Sequence, residues 1–237
     1  AGVRLGPPQG SDLSRERFLG DFKSIEMISG TTIDGRIIEI ILVDGQELKL
    51  TDINDGDKAN SALSDGGIRL IQSDEAQSLS LGLSNCGLGY HSAISNENLF
   101  IDIAGINTSS LNLINDQKTY VVVENSGANL TKLTVTGLGT IALLGIPRLL
   151  NTIDGSTLNG NLTVSSSNDN IFIHSGPAAD IIRINGGSSV VETQDGGDNI
   201  SVLGGSNHTI SSGSGTDQIT LTGGNTQVYA GSQADTV

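Results

Sequence analysis

The chain is poor in the residues that usually fill the core of a globular protein. It has no tryptophan, aromatic residues make up 3% of its 237 residues, and it holds one cysteine and four prolines. A core without large rings must be built from Ile, Leu and Val. A single cysteine excludes an intrachain disulfide, and Cys86, within "LSNCGLG", is predicted to be a small buried core residue.

Basic residues are also scarce. The chain has 12 Lys and Arg against 26 Asp and Glu, which leaves a formal net charge of −14. An acidic surface repels the phosphates of nucleic acids and attracts divalent cations, so the charge argues against nucleic-acid binding. After Arg148 only one basic residue, Arg183, remains. No apolar run reaches the ~20 residues that a membrane-spanning helix requires.

The chain is rich in glycine, with 32 residues, and in short β-branched stretches between glycine-rich turns. Four stretches near the C-terminal end have Asp as their second residue: "ADIIRI", "GDNISV", "TDQITL" and "ADTV". The acids are Asp180, Asp198, Asp217 and Asp235, which recur at intervals of 18, 19 and 18 residues. In the half-turns between them, the equivalent position is predicted to hold Ser189, His208 and Thr226.

A repeat of this length predicts a β-solenoid. Two short strands with alternating apolar positions, joined by glycine turns that tolerate positive φ, make one coil of about 18–20 residues. Successive coils stack, so each strand pairs in parallel with its equivalent one coil on. We therefore predict an all-β fold, a right-handed parallel β-solenoid of the β-helix or β-roll kind, with a less regular β region at the N-terminal end.

Apolar positions that are predicted to stack from one coil to the next can be followed from the C-terminal end towards the N-terminal end. They form two series, which we call ladders. The first is predicted to run through Ile219/Leu221, Ile200/Val202, Ile182/Ile184, Leu162/Val164, Ile141/Leu143, Val121/Val123, Leu99/Ile101 and Leu79/Leu81. The second is predicted to run through Val228, Ile210, Val191, Ile171, Ile153, Leu133, Leu111, Leu88 and Ile68.

The pattern divides the chain into three parts. Residues 1–25 are predicted to form a linker or docking segment, in which a short helix could begin at Ser11 or Asp12. Residues 26–115 are predicted to be β-rich and solenoid-like, with Asp-Gly turns at 34–35 and 44–45. Residues 116–237 are predicted to form the regular solenoid.

The opening "AGVRLGPPQG" and the final "ADTV", in mid-pattern, predict a fragment or processed form of a longer protein.

The turn "GSGTD" at 213–217, followed by "QITL", resembles the repeat G-G-x-G-x-D-x-U-x of RTX proteins, the calcium-binding β-roll repeats of bacterial type I secretion substrates. In that family, turn carbonyls and the Asp of one coil bind calcium together with the Asp of the next. Carried over, the resemblance implies a Ca²⁺ site, since this ion accepts several oxygens in loose geometry. The implied ligands are the carboxylates of Asp180, Asp198, Asp217 and Asp235 and the carbonyls of Gly213 and Gly215.

The other turns, "GPAAD", "QDGGD" and "GSQAD", depart from the glycine pattern of the RTX repeat. A calcium-independent alternative is therefore open, in which each Asp forms an Asx-turn that caps its own bend.

A longer stretch, "ANLTKLTVTGLGTIALLGIPRLLNTIDGSTLNGNLTVSSSNDN", is similar to the solenoid segments that precede RTX repeats in large bacterial surface proteins. There the phrase L-x-x-I-D-x-S-x-L-x-G-x-L-x-V recurs, and here it occupies residues 150–164. S-layer proteins of Gram-negative bacteria and large RTX adhesins share this architecture. The resemblance implies an extracellular location at the bacterial cell surface.

The sequence offers little for catalysis. The histidines, His91, His174 and His208, lie in unrelated contexts without a metal-binding motif, and His208 is predicted to be a solvated turn residue. We expect a non-catalytic, S-layer-like or adhesin-like segment that forms a calcium-stabilised rod. Its expected partners are further copies of itself, in a filament or lattice, and a cell-surface polysaccharide.

Three alternatives stay open. The segment could be the export or receptor-binding region of an RTX-like toxin, a polysaccharide-processing β-helix enzyme, or a calcium-independent adhesive solenoid. The enzyme would need aromatic and basic side chains for a sugar groove, and after Arg148 the chain offers only Phe172, Tyr229 and Arg183.

Overall fold

A computed structural model describes residues 2–5, 24–28, 37–42, 47–51, 67–72, 77–87, 98–104, 107–125 and 129–237. All regular elements within these ranges are β-strands. The described residues contain no helix with the length and apolar character needed to cross a membrane. The helix expected at Ser11 or Asp12 and the two Asp-Gly turns lie outside the described residues.

The strands form two sheets. The first has eleven strands: β1 (Gly2–Leu5), β2 (Ser24–Ile28), β4 (Glu47–Thr51), β6 (Ser78–Ser84), β8 (Ser110–Asn115), β10 (Lys132–Gly137), β12 (Thr152–Asp154), β14 (Ile171–His174), β16 (Ser189–Glu192), β18 (His208–Ser211) and β20 (Thr226–Tyr229). The second has nine strands: β3 (Ile37–Leu42), β5 (Gly67–Gln72), β7 (Leu99–Ile103), β9 (Thr119–Glu124), β11 (Ile141–Gly145), β13 (Leu162–Ser166), β15 (Ile181–Ile184), β17 (Asn199–Val202) and β19 (Gln218–Leu221).

From β2 onward the chain alternates between the sheets, and all strand pairs in both sheets are parallel. Each coil thus gives one strand to each sheet and pairs with the coils before and after it. The predicted all-β parallel solenoid is confirmed. Strand β1, which pairs with β2, lies within the residues expected to act as a linker or docking segment.

The core lies between the two sheets and is made of aliphatic side chains. In β17 the inward Ile200 and Val202 are fully buried, while the alternate residues face outward and are partly exposed. Ile182, Ile200 and Ile219 lie in register in three successive coils, as predicted. Cys86 is also fully buried in this core, which confirms its predicted role.

The predicted ladders are correct in the last coils, from Ile182 and Val191 onward, and are wrong in several places before them. Val164, not Leu162, pairs with Ile182, and Ile173, not Ile171, pairs with Val191. The first predicted ladder corresponds to the second sheet, and the second ladder corresponds to the first sheet. Leu79, predicted in the first ladder, instead pairs with Leu111 in the first sheet. Ile68, predicted in the second ladder, instead pairs with Ile101 in the second sheet. Leu88 lies outside the described residues.

Variable coil length explains the wrong assignments of Leu79 and Ile68. The register partners Ser80 and Asn112 are 32 residues apart, whereas partners near the C-terminal end are 18 or 19 apart. An insertion between strands changes the interval but not the pairing, so a ladder drawn at nearly constant spacing slips from one sheet to the other.

Candidate cation site: a column of buried aspartates

The four predicted acids form one column along a corner of the solenoid. Asp180, Asp198 and Asp217 each come directly before a strand of the second sheet, respectively β15, β17 and β19. Parallel pairing of these strands in register places the acids one above another. Asp235 extends the column by one coil, next to the bridge between Gln218 and Thr236. We call these four residues the aspartate column.

Each carboxylate of the aspartate column accepts a hydrogen bond from the preceding coil. Its Oδ1 atom takes the backbone N–H of the residue that stands at the same place one coil earlier. The bonds are Leu162 N–H to Asp180 at 2.7 Å, Asp180 N–H to Asp198 at 2.8 Å, Asp198 N–H to Asp217 at 2.9 Å and Asp217 N–H to Asp235 at 3.1 Å. The Asx-turn of the calcium-independent alternative is therefore replaced by a hydrogen bond between coils, which links each coil to the next.

The other carboxylate oxygen has no partner. Asp180, Asp198 and Asp217 are each 1% exposed, and the Oδ2 atom of all three is buried without a hydrogen bond. Burial raises the pKa of Asp180 to about 7, although the hydrogen bond from the Leu162 amide and the neighbouring Ser175 hydroxyl oppose part of this rise. Burial also raises the pKa of Asp198. The column is therefore a row of carboxylates that need a positive partner to be stable in their charged form.

The two glycines of the "GSGTD" turn allow adjacent coils to approach each other. Gly213 and Gly215 have positive φ angles of 82° and 142°. A Cβ atom on Gly213 would lie 1.8 Å from the carbonyl oxygen of Gln194, and one on Gly215 would lie 1.4 Å from that of Gly196. Both positions therefore require glycine for steric reasons, whether or not their carbonyls bind an ion. The Gly213 carbonyl already accepts a hydrogen bond from the Ser232 amide.

A metal ion would fit the aspartate column only if aspartates from adjacent coils bound it together. The described residues contain no group of three or more His, Cys, Asp or Glu side chains able to hold one metal. An ion here would use the free Oδ2 atoms of consecutive aspartates and would need further oxygens from other groups. Calcium accepts such mixed oxygen ligands, including hydroxyl and carbonyl oxygens and water.

A second polar column, which the sequence analysis missed, faces the first. It consists of Ser175, Thr193 and Ser212, which follow strands β14, β16 and β18, and we call it the hydroxyl column. Ser175 lies beside the carboxylate of Asp180, and Thr193 lies beside that of Asp198. All three are at most 5% exposed. A constant offset of five residues before each aspartate was the signal that could have identified it.

The opposite corner is also polar inside, which corrects the expectation for His208. Ser189, His208 and Thr226 are in register, as predicted, but His208 is only 2% exposed. Its Nε2–H donates to the Gly204 carbonyl at 3.0 Å, so its Nδ1 accepts the Ser189 hydroxyl at 2.9 Å. The prediction of a solvated turn residue was wrong, because the first residue of each such strand points inward.

A smaller polar cluster lies on the outer face of the first sheet. Asp154, His174 and Glu192 are in register on β12, β14 and β16. Asp154 accepts the Ser156 hydroxyl at 2.8 Å and lies 3.6 Å from the Lys132 ammonium group. These residues form a group of acid and base side chains on an accessible surface, where the alternative of a sugar-processing enzyme can be tested.

Comparison of the chain with protein-family models, with curated proteins and with solved structures found no match in any of the three. The interpretation of the aspartate column therefore depends on the geometry of this chain.

Proposed function

We propose that the chain is a non-catalytic structural segment of a large secreted bacterial surface protein, S-layer-like or adhesin-like, which forms a rigid rod stabilised by calcium. The observation that supports it best is the column of three buried aspartates, one per coil, each with a free Oδ2 atom. A buried carboxylate without a partner weakens a fold, so a repeat of this kind indicates a bound cation.

The rod-like character follows from the stacking. Each described coil pairs through both of its strands with the neighbouring coils, and the fully buried aliphatic residues run along the stack without interruption. Such a solenoid is stabilised by contacts between neighbouring repeats, and stiffness along its axis is the mechanical property it offers. Its role at the cell surface would be to hold other parts of the protein at a distance and to assemble laterally or end to end with further copies.

Calcium would control this assembly. With the ion bound, the carboxylates of adjacent coils no longer repel one another, and the C-terminal coils are ordered. Without it, the aspartates must either take up protons or remain charged in a buried place, and both states weaken the stack near neutral pH. An extracellular location, where calcium is abundant, fits this dependence, and a cell-surface polysaccharide is a further proposed partner.

Electron microscopy of the purified chain in millimolar calcium and in chelator tests the proposal. We expect filaments or a lattice in calcium and dispersed particles in chelator. Asp198→Asn should abolish the calcium-dependent assembly, because it removes one charge of the aspartate column. Asp169→Asn is the matched control, since Asp169 is exposed in a turn outside the column and its loss should leave assembly unchanged.

Two results would contradict the proposal. Dispersed particles in both conditions would favour the toxin or enzyme alternatives, and assembly that is the same with and without calcium would favour the calcium-independent solenoid.

A further inference from the structure

The hydroxyl column has fewer hydroxyl protons than there are hydrogen-bond acceptors around it. The Thr193 hydroxyl donates to the Ser212 carbonyl at 2.8 Å, and the Ser212 hydroxyl donates to the Ala230 carbonyl at 2.8 Å. Each hydroxyl has one proton, so neither can also donate to an aspartate while these bonds are made. What they offer to the aspartate column is the lone pairs of their oxygens.

A count of donors and acceptors shows the shortage. Three Oδ2 atoms, those of Asp180, Asp198 and Asp217, lack a hydrogen bond, and one unpartnered donor, the Ser175 hydroxyl, lies beside the first of them. One proton cannot satisfy three acceptors, and buried polar atoms in proteins are rarely left unsatisfied. Two rows of electron-rich oxygens therefore face each other, and a positive charge between them would satisfy both.

The Ser175 hydroxyl is a further indication of a ligand, in addition to the free carboxylate oxygens. It is fully buried, makes no hydrogen bond of good geometry, and lies close enough to the carboxylate of Asp180 to lower the pKa of that group. The fourth coil has Ala230 at the equivalent position, five residues before Asp235, and therefore offers no hydroxyl there.

We propose that the hydroxyl column supplies ligands to the same ions as the aspartate column. Each divalent cation is held between the Oδ2 atoms of consecutive aspartates and the hydroxyl oxygen that faces them, from Ser175, Thr193 or Ser212. This inference depends on the proposed calcium binding, and adds that hydroxyl oxygens inside the solenoid belong to the ligand set.

The test compares hydroxyl-deleting variants of the full 237-residue chain. Thr193→Val keeps the side-chain shape and removes the oxygen, and Ser175→Ala removes a hydroxyl that has no hydrogen bond to lose. Thr108→Val is the control, because Thr108 is also fully buried with an unpartnered hydroxyl but lies in a coil that has no member of the aspartate column. Thermal melts and calorimetric titration use calcium chloride, with sodium chloride at equal ionic strength as a comparison.

We expect Thr193→Val and Ser175→Ala to weaken calcium binding about tenfold and to lose much of the calcium-dependent rise in Tm. Thr108→Val should bind calcium as the parent does. If the parent and Thr193→Val and Ser175→Ala bind calcium equally, the hydroxyl ligands are disproved while calcium binding stands. If the parent itself does not respond to calcium, both proposals fail. Equal stabilisation by sodium would overturn the assignment of a divalent ion.

Discussion

Asp180 occupies the position that Leu162 and Ile141 hold in the two preceding coils. A carboxylate therefore stands where the solenoid would otherwise place an aliphatic side chain, and it does so again at Asp198 and Asp217. Its Oδ1 atom compensates for part of the lost solvation by accepting an amide proton from the coil before. The remaining oxygen makes stability depend on what it binds, either a proton or a metal ion.

The pKa of Asp180 predicts how stability changes with pH in the absence of calcium. Burial raises this pKa from 3.8 to about 7, so the folded chain holds the proton more tightly than the unfolded chain does. The stability that this group contributes is therefore greatest at a pH below the unfolded-state pKa of 3.8. It is lost as the pH rises through the folded-state pKa of about 7. Urea unfolding in chelator should give a lower free energy of unfolding at pH 8 than at pH 5, and Asp180→Asn should reduce the difference. A free energy that rises over this interval would contradict the account.

At the scale of the strand and turn, much could be predicted from the sequence. The alternation in "NISV" predicted the inward Ile200 and Val202, and the spacing of the Asp residues predicted the parallel stacking of the last coils. Two things escaped prediction. Register in the N-terminal half failed because insertions lengthen the coils. The hydroxyl column was missed because serine and threonine after a strand are common in any turn, and only contact with the acids distinguishes Ser175 and Thr193.

The turn glycines give a prediction at the same scale. Gly215→Ala would place a Cβ atom 1.4 Å from the Gly196 carbonyl oxygen, so adjacent coils must move apart. Gly204→Ala is the matched control, because Gly204 also has a positive φ, of 93°, but no atom lies within 4 Å of the added carbon. We expect the control to lose about 1 kcal/mol from backbone strain alone and Gly215→Ala to lose clearly more by urea unfolding. Equal losses would mean that the coils are not in such close contact.

At the scale of the whole molecule, the described residues form a stack in which polar columns lie at both inner corners of the C-terminal coils. One corner holds carboxylates and hydroxyls, and the other holds the hydrogen-bonded pair of Ser189 and His208. The corner of the aspartate column has unpartnered carboxylate oxygens, whereas the imidazole in the other corner is satisfied at both nitrogens. Ion binding would therefore affect one side of the stack and leave the other side, already satisfied, unchanged.

The central claim is that the acid recurs once per coil because consecutive coils share a cation. Thermal melts at neutral pH of the parent and of Asp217→Asn, each in millimolar calcium and in chelator, test it most directly. Asn keeps an oxygen for the Asp198 amide and removes the buried charge, so the variant should be at least as stable as the parent in chelator. Calcium should raise the Tm of the parent by mass action and should raise that of the variant far less. Melts that are unchanged by calcium in both proteins would contradict the claim and leave the aspartates as hydrogen-bond acceptors between coils.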